Sequence, residues 1–403
     1  MEQSTMLRRG VGLRGVVHDK ASPGYMVFAH LTSPGIVKMV DNHGKEVHCW
    51  KLPVRPGRHA RILANGNLAY NGVHPDSPRL FPLWQKYRGG LMLEVDPAGN
   101  IVQQWEDPYA HHDQNHLDDG TLLYTTLQPL SPAEANTVKG GIPGSEAPDG
   151  KIYSDSIKHV DPRTGKTLWF WRLIDHVDPS VFPLQPHYTR DHYPLINSVS
   201  FLRDGNILAS LRSVSAVIII SRKTGEVIWH LDSTVIAQQH HATELEDGSI
   251  LIFDNGVYRH HESFPYSRVI QVDRATKQIV WQYRDRNPMM FFSPFMGGAQ
   301  RLENGNTFIT EAAHGRVFEV TKQGEIVWEY VVDSFATYEG LGAEELEGIF
   351  DYPANAVFRA YKYLPEQVPW LTEKLAGGRD GQYGGGVVSV KLYEAECAVG
   401  WSL

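Results

Sequence analysis

Four positions share one count along the chain and carry residues suited to chemistry. Eight residues before the glycine of a recurring turn phrase (Gly120, Gly205, Gly248 and Gly305) stand His112, Asn197, His240 and Gly297. A neutral imidazole can attack an electrophile or take up a proton. An amide beside it can hold a developing negative charge. Arg212 follows on the strand behind Asn197, and Glu311, His314 and Arg316 occupy the corresponding region after Gly305. A guanidinium offers fixed donors to an anionic group, and its charge keeps a nearby imidazole uncharged. Two of the marked residues belong to His-His pairs, 111–112 and 240–241. Neighbouring strand residues face opposite ways, so each pair is expected to send one ring inward.

These residues need elements that bring them together, and the chain supplies a repeat. A hairpin phrase occurs six times: IVKMVDNHGKEVHCW (36–50), LMLEVDPAGNIVQQW (91–105), SIKHVDPRTGKTLWFW (156–171), VIIISRKTGEVIWHL (217–231), VIQVDRATKQIVWQY (269–283) and VFEVTKQGEIVWEY (317–330). Tryptophan stands four or six residues past each turn. Both numbers are even, so seven of the ten tryptophans share one strand face and one packing role. The shorter turn phrase, apolar–x–(Asp/Asn)–Gly–(Asn/Thr/Ser), follows five copies, at Gly66, Gly120, Gly205, Gly248 and Gly305. Asn-Gly and Asp-Gly provide the positive φ that tight hairpins require.

Two hairpins per repeat make a four-stranded antiparallel sheet, and six such sheets make an all-β, six-bladed β-propeller. The sixth copy lacks its second phrase. NAVFRAYKYL (355–364) and the early strand GYMVFAH (24–30) supply the missing strands and close the ring by joining the chain ends. The innermost strands then line a channel on which the marked residues converge. Long polar segments at 71–90, 128–155, 173–194, 255–268, 284–298 and 331–354 are expected to wall one mouth of it. The chain divides into an N-terminal extension (1–23), the propeller (24–371) and a Gly-rich tail with one possible extra strand or dimer contact (372–403).

The totals set limits. A formal charge of −8 and the lack of a Lys/Arg cluster argue against nucleic acid as a partner. No apolar run approaches the roughly 18 residues of a membrane helix. The first twenty residues are basic but lack the roughly 7–15-residue apolar segment of a secretory signal, so the expected compartment is the cytoplasm. Cys49 and Cys397 have no metal-ligand spacing and read as buried small hydrophobes.

Several segments together resemble one family. GGAQRLENGNTFITEAAHGRVFEVTKQGEIVWEYV (297–331), NSVSFLRDGNILASLRSVSAVIIISRKTGEVIWHL (197–231), AQQHHATELEDGSILIFDNG (237–256) and FRAYKYLPEQVPWL (358–371) are similar to arylsulfotransferases. The opening GYMVFAH and GIVKMVDNHGKEVHCW share the likeness. It implies PAPS-independent sulfuryl transfer from a phenolic sulfate to another phenol through a sulfurylated histidine. Carried over by position, the nucleophile falls on His240 after Gln239, a second channel histidine on His112 or His111, the Asn on Asn197 and the Arg on Arg212. One position departs. The family usually has His two residues before that Asn, where this chain has Leu195, and His192 stands three residues further back. The signal peptide and short-loop disulfide of secreted members are missing, so the likeness is to a cytoplasmic branch.

The expected mechanism has His240 attacking sulfur, Arg212 and Asn197 holding the sulfuryl oxygens, and His112 or His192 exchanging a proton with the phenol. His111, His241, Gln239, Glu311 and Arg316 are the candidate substrate contacts. Trp84, Tyr87, Phe182, Tyr188, Tyr193, Phe291 and Phe292 in the mouth loops either flank an aryl ring or serve as loop packing. Expected partners are a small aromatic substrate and, possible through the tail, a second copy of the chain. A competing reading makes the channel a divalent-metal site on His112, His240 and Glu311, serving a lyase or hydrolase. A third makes the propeller a non-catalytic binding module.

Overall fold

The computed structural model of the protein describes residues 10–338 and 353–377. Six antiparallel sheets stand around a common axis as the blades of a β-propeller. Their innermost strands, in chain order, are Pro56–Ile62, Ala110–His116, Ile196–Phe201, His240–Glu244, Gly298–Arg301 and Val357–Tyr363. The last of these pairs with Tyr25–His30, so the first blade is built from both ends of the chain and the ring closes as the repeat required. Each long hairpin phrase forms the two outer strands of a blade, and each short phrase joins the two inner ones.

This pairing decides where the loops go. Both kinds of hairpin turn lie at one end of the blades, so every other connection must cross the opposite end. The longer ones, including 74–89, 130–152, 173–195, 255–267 and 284–297, therefore gather over one mouth of the channel. The turns follow their chemistry. Gly44, Gly99, Gly165, Gly225 and Gly324 have φ between 70° and 93°, and Lys277, which replaces glycine in the fifth copy, still adopts φ 59°.

Apolar residues on the two faces of each blade form cores between neighbours. Leu123, Ile157, Trp171, Ile207, Ile218 and Ile220 join the third and fourth blades, and Phe28, Phe308, Trp328 and Val357 join the sixth to the first. Burying each such side chain contributes about 1.5–3 kcal/mol. The tryptophans add a bond between blades. Indole N–H groups of Trp50, Trp169, Trp171, Trp229, Trp281 and Trp328 donate to carbonyls of Asp96, Arg222, Gly225, Arg274, Lys322 and Asn42, all in the outer hairpin of the next blade. Trp105 donates instead to the Tyr124 hydroxyl of the third blade.

Gly12–Val16, in the N-terminal extension, adds a fifth strand to the outer edge of the sixth blade. It covers Ile326 and Val327, which are buried, whereas Ile101 and Val102 at the corresponding edge are 45% and 54% exposed. Cys49 is half-buried rather than buried, and its thiol donates to the Trp50 carbonyl at 3.7 Å. Cys397 and the tail from 378 lie outside the described residues. No helix among the described residues is long and apolar enough to cross a membrane.

Candidate active site

Beneath the long loops the channel holds a cavity of about 90 Å³, lined by Arg58, Tyr87, His112, Leu195, Arg212, His240, Phe295, Met296 and Tyr338, with Leu83 and Lys86. Three sequence candidates meet here: His112, Arg212 and His240. Phe358 of the closing strand sits between them, its ring 6.1 Å from His112 and 6.2 Å from His240. The count of eight, taken back from Gly66, also reaches Arg58, whose guanidinium lies 5.3 Å from the Phe358 ring and donates to the Lys86 carbonyl.

His240 is held in one tautomer. Its Nδ1 stands 2.7 Å from Asn255 Oδ1, and the Asn255 amide donates to the carbonyls of Ser293 and Met296, both at 2.8 Å. Those two bonds turn the amide oxygen towards His240, so Nδ1 carries the hydrogen and Nε2 the lone pair. That lone pair accepts the Met296 backbone N–H at 3.1 Å. Burial, then the charge of Arg212, hold the His240 pKa well below the usual histidine value. Burial and Arg58 do the same for His112. Both rings are therefore neutral at pH 7. Burial lowers the Arg58 pKa to about 10, which leaves it charged.

The other candidates take different places. Asn197 lies one layer behind the cavity, donating to the Gln239 carbonyl, while the Gln239 side chain is tied to Ser210, Leu211 and Ala216. His111 and His192 flank the buried carboxylate of Asp155, at 3.0 and 3.1 Å, behind His112 and Tyr87. The expectation of one inward ring per His-His pair fails at 240–241: His240 lines the upper cavity, and His241 lines a second one of about 610 Å³ at the other mouth. The cause is local. His241 and His112 have φ of 48° and 45°, and the strand register slips at His240/Ala242, so simple alternation does not hold. A floor of charged groups separates the two cavities. Asp113 accepts from His59 at 2.7 Å, Arg359 at 2.9 Å and the Val199 N–H at 2.9 Å.

Glu311 and Arg316 are not in the channel cavity. They form a cross-strand pair at 2.9 Å in the sixth blade, matching Asp254 and Arg268 at 2.8 Å in the fifth. Glu311 and His314 line a separate hollow. The proposed metal set of His112, His240 and Glu311 is thus not assembled. The group with metal-ligand spacing among the described residues is His111, Asp155 and His192. Of the loop aromatics, Tyr87 lines the cavity and Tyr188 stacks under Arg212 at 5.4 Å. Trp84, Phe182, Tyr193 and Phe291 are buried in packing.

Residues 85–333 match the model of the arylsulfotransferase family. The chain belongs to the arylsulfotransferase family. As a member it is a transferase by kinship, and the matched residues include His112, Arg212 and His240 but not Arg58. No curated protein matches this arylsulfotransferase-family chain significantly. Among solved structures it is similar to a protein of unknown function from Bacteroides caccae, at 13% identity over 77% of this chain and 94% of that one, with a TM-score of 0.50. A catalytically inactive virginiamycin B lyase from Staphylococcus aureus, solved with quinupristin, gives 10% identity, 82% and 93% coverage and a TM-score of 0.45. Hydrazine synthase of Kuenenia stuttgartiensis gives 12%, 80%, 91% and 0.43. At these identities the first likeness is one of fold alone.

Proposed function

We propose that the upper cavity transfers a sulfuryl group from an aryl sulfate to a phenol, without PAPS, through a sulfurylated His240. The observation that carries this reading is the setting of His240: a neutral ring, Nδ1–H anchored on Asn255, and Nε2 turned towards the cavity beside Arg58 and Arg212. In the first half-reaction the Nε2 lone pair forms a bond to sulfur. The sulfur–aryl oxygen bond breaks, and its electron pair leaves with the aryl oxygen as a phenolate. The acceptor phenol then reverses these steps. Arg58 and Arg212 offer cationic donors to the sulfuryl oxygens, which replaces water with fixed charge. Asn197 supports the nucleophile indirectly, by bonding the peptide just before it.

The resting cavity of about 90 Å³ is well below the roughly 300–1,000 Å³ of a typical small-molecule site. The segment Ser293–Gly297, which supplies Phe295 and Met296 to the wall, must therefore shift on binding. The Met296 N–H leaves the Nε2 lone pair at the same time, at a cost of about 1 kcal/mol, and becomes a donor for a sulfuryl oxygen.

Covalent relay through one nucleophile predicts ping-pong kinetics. The test is incubation with 4-nitrophenyl sulfate and phenol, wild type against His240→Ala. Release of nitrophenolate by wild type, lost in the variant, supports the reading, as does an acid-labile sulfuryl group on His240 in mass spectra taken at high pH. Without release from wild type the reading fails. Release that survives His240→Ala removes His240 as nucleophile.

A further inference from the structure

Asp155 lies where two chains of polar contacts meet, and both end on the cavity wall. It is hydrogen-bonded to His192 on one side, and on the other His111 Nε2 stands close to Oδ1 as an ion-pair contact outside hydrogen-bond geometry. Asp155 is carried by Tyr153–Asp161 in the third blade, and its carboxylate is fully buried. Oδ2 accepts the Leu195 N–H at 2.8 Å and stands 3.1 Å from His192 Nε2, while Oδ1 stands 3.0 Å from His111 Nε2. Beyond them, the Tyr87 hydroxyl meets His192 Nδ1 at 2.7 Å, and His112 Nδ1 meets His111 Nδ1 at 2.9 Å. Burial works against a charge on Asp155, yet the two histidines hold its carboxyl well below the usual range.

Two ring nitrogens 2.9 Å apart share one hydrogen, and the carboxylate decides which of them carries it. The negative charge of Asp155, 3.0 Å away, favours the hydrogen of His111 on Nε2, the nitrogen that faces it. Nδ1 of His111 is then bare, so His112 donates from Nδ1 and turns a bare Nε2 to the cavity. The position where the family usually has a histidine thus serves differently here: Leu195 gives its backbone N–H to the carboxylate that sets this order.

We propose that Asp155, acting through His111, is the positioning residue that makes His112 the base for the acceptor phenol. The proposal rests on the sulfuryl-transfer reading of the cavity. In the second half-reaction the phenol O–H gives its proton to His112 Nε2 as the phenol oxygen bonds to sulfur. The bond between sulfur and His240 breaks, and its electron pair returns to His240 Nε2. The imidazolium formed on His112 is linked through His111 to the Asp155 carboxylate, which stabilises its charge.

Asp155→Asn keeps the side-chain outline and reverses the order. Leu195 N–H still needs an acceptor, so the amide oxygen stays on that side and the NH2 faces His111 Nε2. His111 then carries its hydrogen on Nδ1, and His112 must move its own to Nε2. It shows the phenol a donor where an acceptor is needed. The test is a rapid-mixing experiment with 4-nitrophenyl sulfate, followed by a chase with phenols of rising pKa. Wild type should give a nitrophenolate burst equal to the enzyme and then transfer. Asp155→Asn should keep the burst, because nitrophenolate leaves without help, and transfer to weakly acidic phenols about 10²–10⁴-fold more slowly. The deficit should shrink for acidic phenols, which enter already ionised. If Asp155→Asn does not fold, His111→Phe cuts the same link and should give the same acceptor-dependent loss.

A burst with the same loss for every phenol, or with no loss, overturns the role of Asp155 alone. Stoichiometric metal in the purified protein does so too, since it would make Asp155 a ligand with His111 and His192. No burst from wild type overturns the sulfuryl-transfer reading and the proposal with it.

Discussion

Asn255→Asp changes what His240 leans on while keeping the outline of the side chain. In the native protein the Asn255 amide oxygen faces His240 Nδ1 at 2.7 Å. The variant puts a carboxylate oxygen there, and an opposite charge this close raises a histidine pKa by about 1–3 units, or about 1.4–4 kcal/mol. A second effect opposes the first. The native amide donates to the Ser293 and Met296 carbonyls, and a carboxylate loses both bonds and repels both oxygens. That resists the new charge and sets the expected shift at the low end, about one unit. As the proposed nucleophile, His240 must be bare to attack, and burial and Arg212 keep it so in wild type. Raising its pKa moves the acid limb of activity upward by the same amount. At any pH below both limbs, the nitrophenolate burst should be about tenfold slower than wild type. The assay is burst rate against pH with 4-nitrophenyl sulfate, with burst amplitude reporting intact enzyme. An unmoved acid limb at full amplitude would refute the coupling between Asn255 and the attacking nitrogen.

Two further outcomes follow from the site. Arg58→Met removes one of the cations on the cavity wall and should lower kcat about 10²–10³-fold, with thermal unfolding as the control; an unchanged kcat would exclude Arg58 from the transition state. The protein should also be acid-sensitive. His112, His116, His240 and His241 are buried and held below the usual histidine pKa, His116 at about 3. The unfolded chain takes up these protons near pH 6.5 and the folded one does not, so stability is full above that pH and falls as pH drops below it. Each histidine removes up to about 1.4 kcal/mol per pH unit, and four remove about 5, against a typical total of about 5–15 kcal/mol. Urea unfolding between pH 7.5 and 5 should show this steep loss, and a flat profile would refute neutral burial of the cluster.

Spacing made the fold legible, because a repeat fixes strand pairing wherever its turns are strong. It also delivered His112 and His240, since equivalent positions on inner strands converge on the axis whatever their neighbours are. Arg58 also answers to the same count, eight residues before Gly66. Asp155 and Asn255 were not legible. Each works across blades or loops, against Leu195 and His192 or against Ser293 and Met296, and no local pattern records such a contact. His241 was legible as a candidate but not its place in the lower cavity, which a positive φ at a bulge sets by breaking the alternation that strand reasoning assumes. Glu311 and Arg316 looked chemical because they are charged and near a blade end, but opposite charges directly across two strands stabilise a sheet.

The tryptophan bridges have a bearing on how substrate enters. Every seam of the ring is stapled at least once, and Trp328 carries the series back to Asn42 on the first blade. The blades behave like staves inside a hoop. Prising one seam open loads all the others, so the channel cannot dilate by parting its walls. On the proposed reading, room for an aryl sulfate comes from above, where Phe295, Met296 and Tyr338 line the cavity. On that reading the stapled ring holds Arg58, His112, Arg212 and His240 in place while the segment carrying Phe295 and Met296 makes room.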